Sequence, residues 1–357
     1  MKIAVLVSGG VDSSVALALL AKALPRAELR AFYLKIWLED ELAYLGDCPW
    51  EDDLRHARAV ADKLGVPLEV VPLQRAYHDQ VVAHALSELA AGRTPSPDLH
   101  CNERVKFGAF MSLVGADFDR VATGHYAQIV RDPGGRTRMF AGVDPVKDQT
   151  YFLSRLSPAQ VARADFPIGH LHKSQVRALA RELDLATQSR KDSQGICFLG
   201  KIAYPEFVRH HLGDAPGAIV DVATGAVLGQ HAGLWYHTIG QRKGLGLGGG
   251  PWFVVAKDIA ARTLLVSHAD VFAAHYRADF EVEGVHWLGE TPREACLEVK
   301  LRHGPQRTTC RVEYSDVGMM RVHLDTPDQG IAAGQFAVFY RPSDIGVPEC
   351  LGSGIIR

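Results

Sequence analysis

The sequence predicts an α/β domain with a parallel sheet and helices on both faces, followed by one or two small antiparallel β domains or barrels. Three observations carry this. Over residues 1–200, short apolar, β-rich runs alternate with helical stretches. A glycine-rich turn stands at the first strand–helix junction. After about residue 200 the pattern changes to near-alternating polarity with little helix.

Residues 3–7 read as a buried apolar strand, and residues 11–23 as a helix with Val15, Leu19 and Leu20 on one face. Residues 29–37 are β-rich. Residues 51–64 form an amphipathic helix closed by Gly65, a normal residue after a helix end. A strand at 68–71, a helix at 79–91 ended by Gly92 and a short strand at 121–123 before Gly124 complete this half. Strands separated by helices of this length pair in parallel. In the second half, residues 218–222 and 226–228 flank Ala223-Thr224-Gly225, a hairpin signal. Near-alternating runs follow at 252–256, 263–267, 280–287, 297–301, 309–314, 320–324 and 336–340, and breaks are expected near residues 200 and 272.

The 357 residues suffice for two or three domains at about 100–200 residues each. At 47 % hydrophobic residues the chain can bury a large core. No apolar run approaches the roughly 20 residues of a membrane helix, and the first residues turn polar too soon for a signal peptide. A cytoplasmic protein with no membrane partner is expected, or an organellar one if a targeting peptide preceded this numbering. The net charge of −2 does not mark a nucleic-acid binder, yet phosphate contacts need only a local patch. Cys48, Cys101, Cys197, Cys296, Cys310 and Cys350 are expected to be reduced, and no C-x-x-C pair suggests a zinc or thioredoxin-like site.

Ser8-Gly9-Gly10-Val11-Asp12-Ser13-Ser14 opens the first helix. Two glycines let the chain turn sharply and bring N–H groups near an anion, and the helix start adds unpaired donors and a positive dipole end. The serines supply hydroxyls, so the heptad reads as a pyrophosphate cradle. Two other matches fail. Gly195–Lys201 mimics a P-loop but has Ile202 where Ser or Thr holds the metal, and Gly244–Gly249 fits G-x-G-x-x-G but leads into Pro251 and a strand.

Cys101 follows Pro95 and Pro97 and precedes Arg104 and Lys106. A helix start near Asn102 and the two cations predict a lowered thiol pKa, with Asp98 placed to take or hold a proton. Cys197 lies in a polar, glycine-containing loop between the halves. The ordinary fate of a free cysteine is a small buried apolar residue, expected for Cys48, Cys296, Cys310 and Cys350. Lys173, Arg177, Arg181, Arg190 and Lys191 read equally as a basic face or a solvated helix surface.

The heptad resembles the PP-loop of the ATP pyrophosphatases. The segments Pro97-Asp98-x-x-Cys101-Asn102-x-x-x-Lys106-Phe107 and Asp192-Ser193-x-Gly195-Ile196-Cys197-Phe198 resemble the two cysteine motifs of the MnmA/TrmU tRNA 2-thiouridylases. Ala122-Thr123-Gly124-His125-Tyr126, residues 147–153, 166–169, 236–244, 334–340 and 350–352 extend the likeness over nearly the whole chain. It implies a PP-loop catalytic domain at 1–200, a central β-rich tRNA-binding domain at 201–272 and a C-terminal β-barrel at 273–357.

The resemblance further implies ATP-dependent adenylation of C2 of the wobble uridine of tRNA and sulfur transfer from a persulfide on Cys197. A sulfur-relay or cysteine desulfurase protein would load that persulfide. Cys101 would be the partner thiol, either attacking the persulfide to release hydrosulfide or resolving a transient Cys101–Cys197 disulfide as the sulfur attacks C2, and Asp98 the acid/base or uridine-positioning residue. ATP contacts are carried over to Leu6, Val7, Ser8, Gly9, Gly10, Val11, Asp12, Ser13, Leu34 and Gly124, with Asp12 beside Mg²⁺. tRNA contacts fall on Ser96, Pro97, Asp98, His125, Lys147, Asp148, Gln149, Arg302, His303 and Gln335. Leu34 stands where the family often has Met, His100 where an aliphatic residue is usual, and the segment Asp47-Cys48-Pro49-Trp50 is inserted; the match at 300–306 is loose. The rival readings are another PP-loop enzyme, lysidine-forming or nitrogen-transferring, and a non-catalytic RNA-binding or redox protein.

Overall fold

A computed structural model describes residues 1–36, 50–191, 204–314 and 318–357. Cys48, Trp37 and the whole Cys197 motif lie outside the described residues. The first half supplies β1 (Ile3–Leu6), β2 (Leu29–Lys35), β3 (Leu68–Pro72), β4 (Arg120–Ala122), a hairpin of β5 (Ala127–Arg131) and β6 (Thr137–Ala141), and β7 (Ala164–Asp165). Five of these form an all-parallel sheet in the order β3-β2-β1-β4-β7. β1 is apolar at every position because both its faces are covered. Ile3 and Val5 pack with α1 (Val11–Ala23), α2 (Trp50–Leu64) and residues Val176 and Ala180; Ala4 and Leu6 pack with helical residues from 74–90 and 97–113. The expected single apolar face of α1 is not seen. The helix is buried nearly all round, Leu17 and Ala16 as fully as Val15, because the sheet and two helices enclose it.

The second half forms two β units. β8 (Gly217–Asp221), β9 (Val227–His231), β10 (Trp252–Asp258) and β11 (Thr263–His268) join in the order β10-β11-β8-β9. The β8–β9 turn closes as expected: Asp221 accepts from Ala223 N and Thr224 Oγ1, and Gly225 takes φ +73°. β8 and β11 run parallel, however, so this sheet is mixed rather than antiparallel. β12 (Arg277–Trp287), β13 (Cys296–Lys300), β14 (Thr308–Tyr314), β15 (Met320–Asp328), β16 (Phe336–Arg341) and β17 (Glu349–Ile356) make an antiparallel barrel, closed because β12 pairs with both β15 and β17. Alternate residues such as Phe280, Val282, Leu297, Val299, Val322 and Phe339 fill it.

Two features tie the halves together. The β5–β6 hairpin continues the barrel sheet beyond β17, pairing Phe140 with Glu349 and Met139 with Cys350. Phe207 and Val208, beyond residue 200, still pack into the first domain's core. Cys310 and Cys350 are buried as expected, but Cys296 is exposed, on the outer face of β13. No helix among the described residues is long and apolar enough to cross a membrane.

Candidate active site

β1 ends at Leu6 and α1 begins at Val11, so residues 7–10 make the turn. Gly9 has φ +76°, and a Cβ there would stand 2.2 Å from the Asp53 carbonyl oxygen. Only glycine meets both conditions. Gly10 caps α1 without a side-chain bond, leaving the helix's first N–H groups to other acceptors. Ser13 Oγ accepts from Ser8 N at 3.1 Å and lies 3.3 Å from Ser8 Oγ, while Ser14 Oγ donates to Gly10 O at 2.7 Å. Gly124 follows β4, and its missing Cβ would lie 2.6 Å from Ser13 N. β1 and β4 are neighbours at the point where the strand order reverses, the usual crevice for a ligand in such sheets. Half-buried Leu34, on β2, shares a core with Leu6 beside it. The turn, the uncapped helix and the glycine-walled crevice fit a nucleotide's phosphates.

Asp12, expected beside Mg²⁺, is engaged with the protein itself. Both carboxylate oxygens accept from Lys173 Nζ, at 2.7 and 2.8 Å, and Oδ1 accepts from Tyr126 OH at 2.8 Å. Arg190 donates to Gly9 O at 2.9 Å and pairs with Asp53 at 2.7 Å. Lys173 and Arg190 therefore belong to neither an open basic face nor a solvated helix surface; both turn inward onto the phosphate loop. Local sequence pattern carried no sign of this, because the contacts span 137 to 181 residues.

Cys101 departs from expectation. Helical residues begin at Pro97, not near Asn102, and run to Leu113, with wide i→i+5 spacing over Cys101–Ala109. Gln160 Nε2 takes up the Glu103 and Phe107 carbonyls of that stretch, each at 2.8 Å. Such wide turns recur at functional sites. Cys101 thus sits one turn into the helix and is 0 % exposed. Burial pushes its thiol up to about 11, against the downward pull of Lys106. The predicted low pKa is overturned, because desolvation outweighs one nearby cation. Cys101 is a free thiol, and no disulfide joins it to the described cysteines.

The Lys106 ammonium also acts on His125. Burial, with Lys106 second, holds the His125 imidazole well below its usual range, although the residue as a whole is half-buried. Its Nδ1 lies 2.7 Å from Thr123 Oγ1. Gly124, packed against Ser13, leads directly into His125, and the Lys106 charge acts on both His125 and Cys101. Asp98 also acts on Cys101, raising its pKa, and on His303, where it opposes the downward shift caused first by burial. His303 lies against Phe152, ring centroids 4.6 Å apart at 32°. Asn102 Nδ2 donates to Phe152 O at 3.0 Å, which ties this aromatic pair to the Cys101 helix.

The other expected RNA contacts divide. Ser96 is half-buried and Pro97 buried at the head of the Cys101 helix. Lys147 and Gln149 are half-buried, and Gln149 Oε1 accepts from Tyr126 N at 3.0 Å. Asp148 is 1 % exposed and turned inward: Oδ2 holds Lys300 Nζ at 2.7 Å, and Oδ1 accepts from Gly142 N, Thr150 N and Thr150 Oγ1. In this conformation its carboxylate braces the segment rather than facing a polynucleotide. Arg302 is held by a two-pronged pair with Asp328, both at 2.8 Å. Gln335 is half-buried at the turn before β16, and its carbonyl accepts from Ile356 N.

Comparison with known proteins matches this architecture piece by piece. Residues 1–201 match the tRNA methyl transferase HUP domain, 205–268 the tRNA methyl transferase PRC-barrel domain, and 277–356 the aminomethyltransferase β-barrel domain. Over 361 residues the chain is 44 % identical to the tRNA-specific 2-thiouridylase MnmA 1 of Bacteroides thetaiotaomicron, covering 100 % of this chain and 99 % of that one. It is 45 % identical to the tRNA-specific 2-thiouridylase MnmA of Parabacteroides distasonis over 362 residues, with the same coverage. Among solved structures, NMN synthetase from Francisella tularensis aligns at 18 % identity and a TM-score of 0.34, over 58 % of this chain and 75 % of that one. The domain descriptions speak of methyl transfer, whereas the full-length relatives are named for thiolation, and the full-length match is the more specific. This chain belongs to the MnmA family of tRNA-specific 2-thiouridylases.

Proposed function

We propose that this chain converts the wobble uridine of tRNA to 2-thiouridine, using ATP and a persulfide. The observation that carries the reading is the glycine-walled phosphate cradle formed by Ser8–Ser14 and Gly124, within a chain 44 % identical over its whole length to a tRNA-specific 2-thiouridylase. ATP supplies activation, turning the C2 oxygen of uridine into a leaving group as AMP. The backbone of Ser8–Ser13 and the start of α1 hold the phosphates, with Asp12 on the metal side. Asp98, whose charge acts on both Cys101 and His303, positions the uridine and moves its proton. The Phe152–His303 pair offers a face for an unstacked base, and Lys147 a charge for phosphate.

Cys197, outside the described residues, would receive a persulfide from a relay or desulfurase protein. Its terminal sulfur attacks C2 and AMP departs. The Cys101 thiolate then attacks the Cys197 sulfur, breaking the S–S bond and leaving the terminal sulfur on C2. The resulting Cys101–Cys197 disulfide is reset by a thiol reductant. Because Cys101 is buried and protonated at rest, RNA binding must first open its surroundings. The test combines chain, tRNA, ATP, Mg²⁺ and a persulfide source, with nucleoside mass analysis. Parent protein yields 2-thiouridine, AMP and pyrophosphate; Cys197→Ser retains adenylation and loses thiolation. No 2-thiouridine despite confirmed loading of Cys197, or full turnover by Cys197→Ser, overturns the reading.

A further inference from the structure

We propose that Lys173 is a phosphate-binding residue of the nucleotide site, stored on Asp12 and released to the nucleotide when a metal takes its place on that carboxylate. This rests on the reading of Ser8–Ser14 as an ATP cradle. Lys173 Nζ meets both oxygens of Asp12, at 2.7 and 2.8 Å, and the two side chains are 13 % and 32 % exposed. The pair stands at the wall of the cradle, for a Cβ on Gly124 would lie 2.7 Å from the Asp12 carbonyl carbon.

The arrangement answers an electrostatic problem. A carboxylate in the first turn of α1 repels an incoming polyphosphate unless a cation screens it. Lys173 supplies that cation while the site is empty. Asp12 would hold a metal arriving with the nucleotide, and the Lys173 ammonium would then turn to a phosphate oxygen. Two contacts favour this exchange. Tyr126 OH, 2.8 Å from Asp12 Oδ1, keeps the carboxylate in place. Lys173 N, bonded to Asp144 Oδ2 at 3.0 Å, anchors the base of the stem, and the stem's rotatable bonds carry the head group across. Arg190 is differently placed: its guanidinium is committed to Gly9 O, Asp52 and Asp53 and shapes the loop rather than serving the ligand.

The test is nucleotide binding by the full chain, measured calorimetrically with ATP and AMP, with and without Mg²⁺. Lys173→Met weakens Mg·ATP by about tenfold or more, the worth of one charge-assisted hydrogen bond, while AMP is little changed. Lys173→Arg recovers part of the loss. Asp12→Asn moves the other way for metal-free ATP, which binds more tightly because the lysine is no longer held by a charge, and it abolishes the gain from Mg²⁺. Parental Mg·ATP affinity in Lys173→Met, equal weakening of ATP and AMP, or metal-free ATP binding no tighter in Asp12→Asn overturns the assignment. A parent chain that binds no ATP at all brings down the cradle reading itself.

Discussion

If Cys101 rests buried and protonated, its alkylation should be slow in a calculable way. Burial pushes its pKa up to about 11, where the ordinary value is 9.0. At pH 8 the thiolate fraction is then about 1 in 1000 rather than about 1 in 10, so thiolate chemistry alone slows alkylation by about a hundredfold. The residue is also 0 % exposed, so a reagent must wait for local opening, which slows it further. The exposed Cys296 provides an internal reference in the same chain. Iodoacetamide labelling followed by peptide mass mapping reads both sites at once. We expect Cys101 to lag Cys296 by about a hundredfold or more at pH 8 and to gain steadily as pH rises toward 11. Addition of tRNA with ATP and Mg²⁺ should lift the protection. Cys101 labelling within about tenfold of Cys296 at pH 8, without ligands, would refute the argument that desolvation outweighs the Lys106 charge.

Other outcomes follow from the same geometry. Gly124→Ala sets a Cβ against Ser13 N, Asp12 C and Ser13 Cα, all backbone, so thermal denaturation should show about 1–3 kcal/mol of lost stability and calorimetry a weaker ATP affinity; an unchanged protein on both counts contradicts the close-packed crevice. Lys300→Met leaves the buried Asp148 carboxylate without its cation and should cost about 3–5 kcal/mol in urea denaturation; a loss below about 1 kcal/mol shows that the pair does not brace residues 147–149. Lys257, whose Nζ donates to Gly92 O at 3.1 Å, is lowered by burial to about 8 from 10.5. The folded pKa lies below the unfolded one, so its contribution is favourable above 10.5 and is lost as pH falls through 8. Lys257→Met should therefore raise the melting temperature near pH 7, and the gain should shrink between pH 8 and 10.5; a pH-independent difference removes the electrostatic cause.

The seams between the halves explain which features were hard to read. The loop before the Cys101 helix is held by three contacts from two units: Lys257 and Thr238 of the central domain reach Gly92 and Thr94, and Ala333 O, before β16, accepts from Thr94 N. None of these residues is near the loop in sequence. The β5–β6 hairpin and β17 escaped the sequence reading for a related reason. Both are short or glycine-bearing, and they become strands by completing a sheet begun elsewhere.

Local chemistry was enough for the rest. Ser8–Ser14 declared its turn because paired glycines between a strand and a helix supply the positive φ that a sharp turn needs, and that signal lies within seven residues; the Asp53 carbonyl packed on Gly9 came only from the fold. The parallel sheet followed from the spacing of apolar runs, since period and length are properties of contiguous chain. Burial and charge pairing are not. The inward turn of Asp148 onto Lys300 and the storage of Lys173 on Asp12 join groups 152 and 161 residues apart, and the high pKa of Cys101 depends on a core drawn from both halves of the chain. Electrostatic free energy depends on distance and dielectric, and only the folded chain sets either.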